Sequence, residues 1–357
     1  MGTVDPRFGA YFRGVGPKDM PGGSVSCRLT PEPTPMPMPI HPIDADVERL
    51  LTIVNDVSQP SIVSMTPAEA RTWSKSTFAP PDRPIEVASV TDREIPGPGG
   101  PLTVRIYHPA PEGHRPLLVF FHGGGWVLGD LDGADPTARR LAVELDAVVA
   151  SVDYRLAPEH PYPAGPEDAI AATRWLAEHA AELGADPERV GVGGDSAGGH
   201  LAAIAAIAMR EEQGPRLNCQ YLIYPVTDSD FTRESMVDNA RGRLLETEDM
   251  AWFWDHFCPD HDRRAEWLAS PIRIDDMAGL PPAVVALAAH DPLYSEGLAY
   301  ARRLEDAGVP TIVKVATDLI HGYFSLEVVG ERCLEEIQLV NRLARPLLHA
   351  SATGVLP

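Results

Sequence analysis

The chain has 357 residues, 44% of them hydrophobic, which is enough for one large domain with insertions or two modest ones. Its formal net charge of -21 leaves no basic stripe to neutralise phosphates, which argues against nucleic-acid binding and against attachment to an anionic membrane. No stretch approaches the ~18 consecutive apolar residues of a membrane span, and Cys27, Cys219, Cys258 and Cys333 form no Cys-x-x-Cys pair or metal-spaced cluster, so a soluble, unprocessed, cytoplasmic protein without metal or disulfide is expected.

Residues 1–43 form a proline-rich arm, densest in TPEPTPMPMPIHP, where missing backbone donors favour extended polyproline-like chain. Apolar spacing then predicts short helices over 44–54 and 66–76. The second opens with Thr66, Pro67 and Glu69 as N-cap, first turn and capping box. From about residue 85, short β-branched runs alternate with longer helical ones. Strands are predicted at 102–109, 116–123, 147–154, 189–194, 219–226, 283–289 and 311–316. Helices are predicted at 136–145, 166–183, through 202–210, at 294–307 and from about 326. Continuously apolar strands are expected where helices cover both faces of a parallel sheet, so the fold class is α/β. The alternation breaks between Val226 and about Ser270, where an aromatic helix, 246–257, belongs to an insertion over the sheet.

Within this frame, GVGGDSAGGH at 191–200 sets one hydroxyl among five glycines. Gly194, Asp195, Ser196, Ala197 and Gly198 match G-x-S-x-G with a strand before and a helix after, the context that makes the serine a nucleophile candidate. A strand breaking into a helix forces the turn residue into strained dihedrals, and glycines on either side remove β-carbons that would collide. The dinucleotide pattern G-x-G-x-x-G begun at Gly191 fails, because Ser196 stands where it needs glycine. A serine hydroxyl needs a base and a group to orient that base. The expected chain order is Ser, acid, His, with the last two beyond strand ends. Asp291 and His321 occupy such positions, with Asp318 and His290 as rivals.

A second glycine cluster, His122, Gly123, Gly124, Gly125 and Trp126, follows the strand ending at Phe121. Successive glycines let backbone N–H groups turn into a cavity. The amides of Gly124, Gly125 and Ala197 are therefore candidates for an oxyanion hole, with His122 holding the loop by hydrogen bonding. A phosphate cradle is the competing reading, but no Gly-Lys-Ser/Thr ending supplies the charge.

These segments, HGGGW at 122, DYRLAPEHPYPAGPEDA at 153, GDSAGG at 194, SPIRIDDMAGLPPAVV at 270, DPL at 291 and HGY at 321, together resemble the hormone-sensitive-lipase-like carboxylesterases of the α/β-hydrolase superfamily. The resemblance covers about residues 45–345. It implies an α/β-hydrolase fold with a mostly parallel sheet and a mainly helical cap. The catalytic domain would span 81–226 and 270–350, and the cap 44–80 with 227–269. It further implies a Ser196, Asp291 and His321 triad, the same oxyanion donors, small acyl-ester substrates, no cofactor, and homodimers as a frequent assembly. Two departures are Tyr323, where phenylalanine is usual, and Asp318, where glycine is common.

The predicted activity is two-step hydrolysis of short- to medium-chain acyl esters, against a binding protein on the same scaffold or a peptidase or acyltransferase. Trp126, Trp252, Trp254 and Tyr323 are candidates for lining a substrate pocket; the alternative is that aromatics at helical spacing pack the core.

Overall fold

The structure, a computed structural model, describes residues 40–55, 61–77, 83–111, 113–326 and 328–350. The expected arm lies outside the described residues except for 40–43, and so does Cys27. Cys219, Cys258 and Cys333 are buried and unpaired.

The alternation of short apolar runs with helical ones builds one sheet from β1 (Ser89–Ile95), β2 (Leu102–His108), β3 (Arg115–Phe121), β4 (Val148–Val152), β5 (Ala185–Asp195), β6 (Cys219–Ile223), β7 (Ala283–His290) and β8 (Thr311–Ile320). Their spatial order is β1-β2-β4-β3-β5-β6-β7-β8. The two pairs that involve β2 are antiparallel, and every pair from β4 through β8 is parallel. Strand β3 illustrates why the runs are continuous. Leu117, Val119 and Phe121 enter one core while Leu118 and Phe120 enter the other, all at most 1% exposed. Each such side chain contributes ~1.5–3 kcal/mol by leaving water.

The first core includes buried residues of α4 (Ala164–Glu178), α5 (Ala197–Glu211) and α8 (Tyr294–Asp306). The second includes those of α1 (Ala45–Val54), α3 (Leu131–Leu145) and α9 (Glu331–His349). Helix α2 (Pro67–Thr77) opens on the expected reciprocal cap: Glu69 Oε2 accepts from Thr66 N at 2.8 Å, and Thr66 Oγ1 accepts from Glu69 N at 3.4 Å. Between β6 and β7 lie α6 (Glu234–Asp238) and α7 (Thr247–Phe257), and α7 packs against the 3₁₀ turn Ile62–Ser64. Among the described residues no helix is long and apolar enough to cross a membrane.

Several boundaries differ from expectation; strand β5, for example, starts at Ala185 and not at 189, and helix α4 ends at Glu178 before a separate 3₁₀ turn, Ala180–Leu183. Helix α3 begins at Leu131, not at Pro136, because Asp130 caps it, its carboxylate accepting from Gly133 N at 2.8 Å. Strand β8 continues to Ile320 across an irregularity in its register with β7, and α9 starts at Glu331 after a 3₁₀ turn, Tyr323–Ser325. Edge strand β1 was not predicted: of SVTDREI only Ile95 is buried, so the run carries little apolar signal.

The first turn of α7 encloses Asp249, whose Oδ2 accepts from Glu246 N at 2.9 Å. Burial pushes its carboxyl up to about 6, and the charges of Glu246 and Glu248 push the same way. The folded-state value thus lies above that of an unfolded aspartate, ~3.9. Unfolding releases this proton between about pH 4 and pH 6, so the fold weakens as pH rises through that window and the deficit persists above it. Asp249→Asn keeps an acceptor for Glu246 and removes the charge. Urea unfolding at pH 7.5 is expected to show a gain on the order of 1 kcal/mol that vanishes below pH 4.

Candidate active site

The loops that follow β3, β5, β7 and β8 emerge at the carboxyl edge of the sheet. The strand order turns at the β3/β5 pair, the usual place for a site in an open α/β sheet. Strand β5 passes into α5 through Ser196, which has φ 56° and ψ -120°. This region strongly disfavours a residue with a side chain, and such strain persists only where surroundings enforce it. Here the enforcement is packing. A β-carbon on Gly194 would meet the backbone of Gly198 and Phe121, and one on Gly198 would meet the carbonyl oxygens of Phe121 and His122, all closer than 3.0 Å. Two backbone bonds fasten the turn: Ser196 N donates to Ile223 O at 2.8 Å and Val226 N donates to Ser196 O at 3.2 Å.

Three side chains meet above this turn. Ser196 Oγ lies 3.0 Å from His321 Nε2, and His321 Nδ1 lies 2.7 Å from Asp291 Oδ2. With the carboxylate as acceptor, the imidazole proton sits on Nδ1 and Nε2 is left to accept from the serine. Asp291 is fully buried, and its other oxygen accepts from Leu293 N at 2.8 Å. The rivals are engaged elsewhere. Asp318 pairs with Arg332 through two bonds of 2.8 Å, and His290 Nε2 donates to His41 O at 2.8 Å.

The HGGGW loop lies beside the serine turn. Gly123 N donates to Asp195 Oδ1 at 2.9 Å, and His122 Nδ1 donates to Gly123 O at 2.7 Å while its ring stacks on Tyr154. Gly124 (φ 117°) and Gly125 (φ 58°) adopt conformations that suit glycine. Among the described residues their N–H groups have no acceptor. Ala197 N opens α5, at the positive end of its dipole.

A family model described as alpha/beta hydrolase fold matches residues 118–325. The chain belongs to the α/β-hydrolase family. Its group is that of the hormone-sensitive-lipase-like carboxylesterases. Esterase LipI of Mycobacterium tuberculosis is 46% identical over 66% of this hydrolase and 74% of the relative. Carboxylesterase NlhH of the same organism is 42% identical over 70% and 79%. The crystal structure of a thermostable esterase from Pseudomonas putida superposes with a TM-score of 0.82 at 35% identity, covering 86% of this chain and 97% of that one.

The aromatics of this hydrolase need a correction. Trp126, Trp254 and Tyr323 are at most 1% exposed, so they cannot line an open pocket; they pack the core. Trp126 stacks on Phe257 at 4.1 Å and meets Trp254 edge-on at 5.0 Å, while Tyr323 packs against Tyr224. Trp252 stays half-buried beside Phe253. The aromatic that covers the oxyanion loop is Phe253: a β-carbon on Gly125 would run into its ring. The sequence pointed to Trp252 and Trp254 of α7 and not to Phe253, and only the way the helix is turned toward Gly125 selects Phe253.

Other contributors carry no sequence signal of their own. The Tyr224 ring lies 4.5 Å from the His321 ring. Asn239 Nδ2 donates to Asp291 O at 3.2 Å, and Ser235 Oγ donates to Pro292 O, so α6 braces the loop of the acid. Glu296, fully buried, accepts from Thr227 N at 2.7 Å and Asp228 N at 3.2 Å, which fixes the segment that holds Ser196 O. Burial pushes the Glu296 carboxyl well above the usual range. Arg71 of α2 donates to Val127 O and Ala157 O at 2.8 Å each and pairs with Glu159 at 2.6 Å, clamping the oxyanion loop from the N-terminal side.

Proposed function

We propose that the chain is a serine carboxylesterase that hydrolyses small, short- to medium-chain acyl esters through an acyl-enzyme. The hydrogen-bonded sequence Ser196–His321–Asp291 carries this reading. His321 takes the proton of Ser196 as Oγ attacks the ester carbonyl, and Asp291 stabilises the imidazolium that forms. The amides of Gly124, Gly125 and Ala197 receive the negative oxygen of the tetrahedral intermediate. Its collapse breaks the bond to the alcohol, which leaves with the His321 proton. Water then attacks the acyl group by the same route and frees the acid. The described residues of 44–80, together with 227–269, act as a cap over the site.

A panel of p-nitrophenyl esters from C2 to C16, run beside amide substrates and added alcohol acceptors, tests the reaction class. An organophosphate label located by mass spectrometry tests the nucleophile. Ester turnover with label on Ser196 is expected; faster amide cleavage, dominant acyl transfer, or label elsewhere would overturn the reading. Phe253 sets the room beside the oxyanion loop. In the same panel Phe253→Ala is expected to raise kcat/KM for C8 relative to C2 about tenfold, the scale on which pockets discriminate methylenes. An unchanged chain-length profile would remove Phe253 from specificity.

A further inference from the structure

Three consecutive residues of the oxyanion loop have positive φ: Gly124, Gly125 and Trp126, the last at 61°. Two are glycines, for which this costs little. Trp126 is bulky, and a residue of that kind in the left-handed region costs ~1–3 kcal/mol and persists only when its surroundings fix it. The indole is held by one directional contact. Its Nε1 donates to His200 Nδ1 at 3.0 Å, with both side chains at most 1% exposed. His200 Nε2 donates to Ala269 O at 2.8 Å. That second bond puts the imidazole proton on Nε2 and leaves Nδ1 as the acceptor the indole needs. Burial pushes His200 down to about 3, so the ring stays neutral at working pH.

The location of this bond gives it a consequence for the chemistry. His200 stands one turn into α5, and its N–H donates to Ser196 O at 3.1 Å. Trp126 follows Gly124 and Gly125 directly, and its carbonyl accepts from Ala157 N at 2.9 Å. The indole–imidazole bond therefore joins the loop of the oxyanion donors to the helix that starts at the nucleophile. Ala269, at the end of the inserted segment, orients the imidazole.

We infer that Trp126 and His200 are positioning residues, whose bond sets the Gly124 and Gly125 amides in register with Ser196 and Ala197. This rests on the serine-esterase reading. Misplacing oxyanion donors by a fraction of an ångström affects the tetrahedral transition states while leaving ground-state ester binding almost untouched.

The test uses Trp126→Phe, His200→Leu, their double variant and His200→Asn. Turnover of p-nitrophenyl butyrate is normalised to serine titrated with an organophosphate, and Tm is measured for each. Trp126→Phe retains the aromatic stack and loses the donor; His200→Leu loses the acceptor. Each is expected to lower kcat per titrated site about ten- to a hundred-fold with KM nearly unchanged. The double variant is expected to be no worse than either single one, because all three lack the same bond. His200→Asn, whose side-chain oxygen can take the place of Nδ1, is expected to recover most of the loss. Full kcat per titrated site in Trp126→Phe, with only a lower Tm, would make the contact plain packing and overturn the inference. A wild-type chain that neither turns over ester nor takes the label would overturn the esterase reading and this assignment with it.

Discussion

Ser196→Ala is expected to lower kcat for p-nitrophenyl acetate by at least about 10⁴-fold, since removing the nucleophile of a serine triad costs up to ~10⁶-fold. The fold should persist. Alanine places a β-carbon where serine already has one, so the strained φ of 56° is no worse. The bonds that fasten the turn use only backbone atoms, and the hydroxyl's one described partner is His321 Nε2. Ser196 and His321 are each 8% exposed, and losing this one buried bond costs about 1–3 kcal/mol, too little to abolish folding. Turnover by the purified variant, followed beside its far-ultraviolet circular dichroism and urea midpoint, checks both halves. A rate above about one hundredth of wild type would remove Ser196 as nucleophile, given the far larger losses such residues show.

The sequence carried this prediction because the segments that build the site stand at strand ends. A strand of a parallel sheet has one apolar run and one carboxyl edge, so a motif after each run lands on that edge without knowledge of the tertiary contacts. Phe121 before HGGGW, Gly193 before the serine turn and Ala289 before Asp291 are all of this kind. The extent of β8 was less legible. The polar residues Thr317 and Asp318 suggested an earlier end, yet the strand crosses them with an irregular register and delivers His321 one residue after Ile320.

Side chains that arrive from outside the sheet were not legible. His200 reads as one polar residue in an alanine-rich helix, and only the structure gives it Trp126 and Ala269 as partners. Phe253 and Trp254 are neighbours in sequence and differ by 100° around α7, enough to put one ring over Gly125 and the other against the Trp126 indole. Helical spacing fixes which residues share a face, but the partner of that face is set by the path of the chain between β6 and β7. The same holds for Asn239 and Ser235, which brace the acid loop from a short helix inside a polar stretch. In physical terms, backbone periodicity encodes the sheet and its edge, and long-range packing encodes the walls of the site.

Gly198→Ala is expected to destabilise the protein by more than about 4 kcal/mol, or to prevent its folding, a size reserved for severe steric or cavity defects. Local propensity points the other way. Gly198 lies in the first turn of α5 without a positive φ, and alanine is favoured over glycine inside a helix by ~1 kcal/mol. The obstacle is tertiary. The new β-carbon would overlap Phe121 O, Phe121 C and His122 O, backbone atoms at the end of β3 that no rotamer change can move aside. Relief requires α5 to withdraw from the sheet, which separates the serine turn from the HGGGW loop and opens the core around Ala202 and Ile204, both fully buried. Gly133→Ala is the matched control. It sits in the first turn of α3, where the nearest atom to a β-carbon is the Asp130 carboxylate at 3.4 Å, an ordinary contact. That variant is expected to be neutral or stabilised by up to ~1 kcal/mol. Urea unfolding of the two variants, read beside soluble yield, separates the effects. Equal stabilities would mean that propensity rather than the close approach of α5 to β3 governs the glycine at 198.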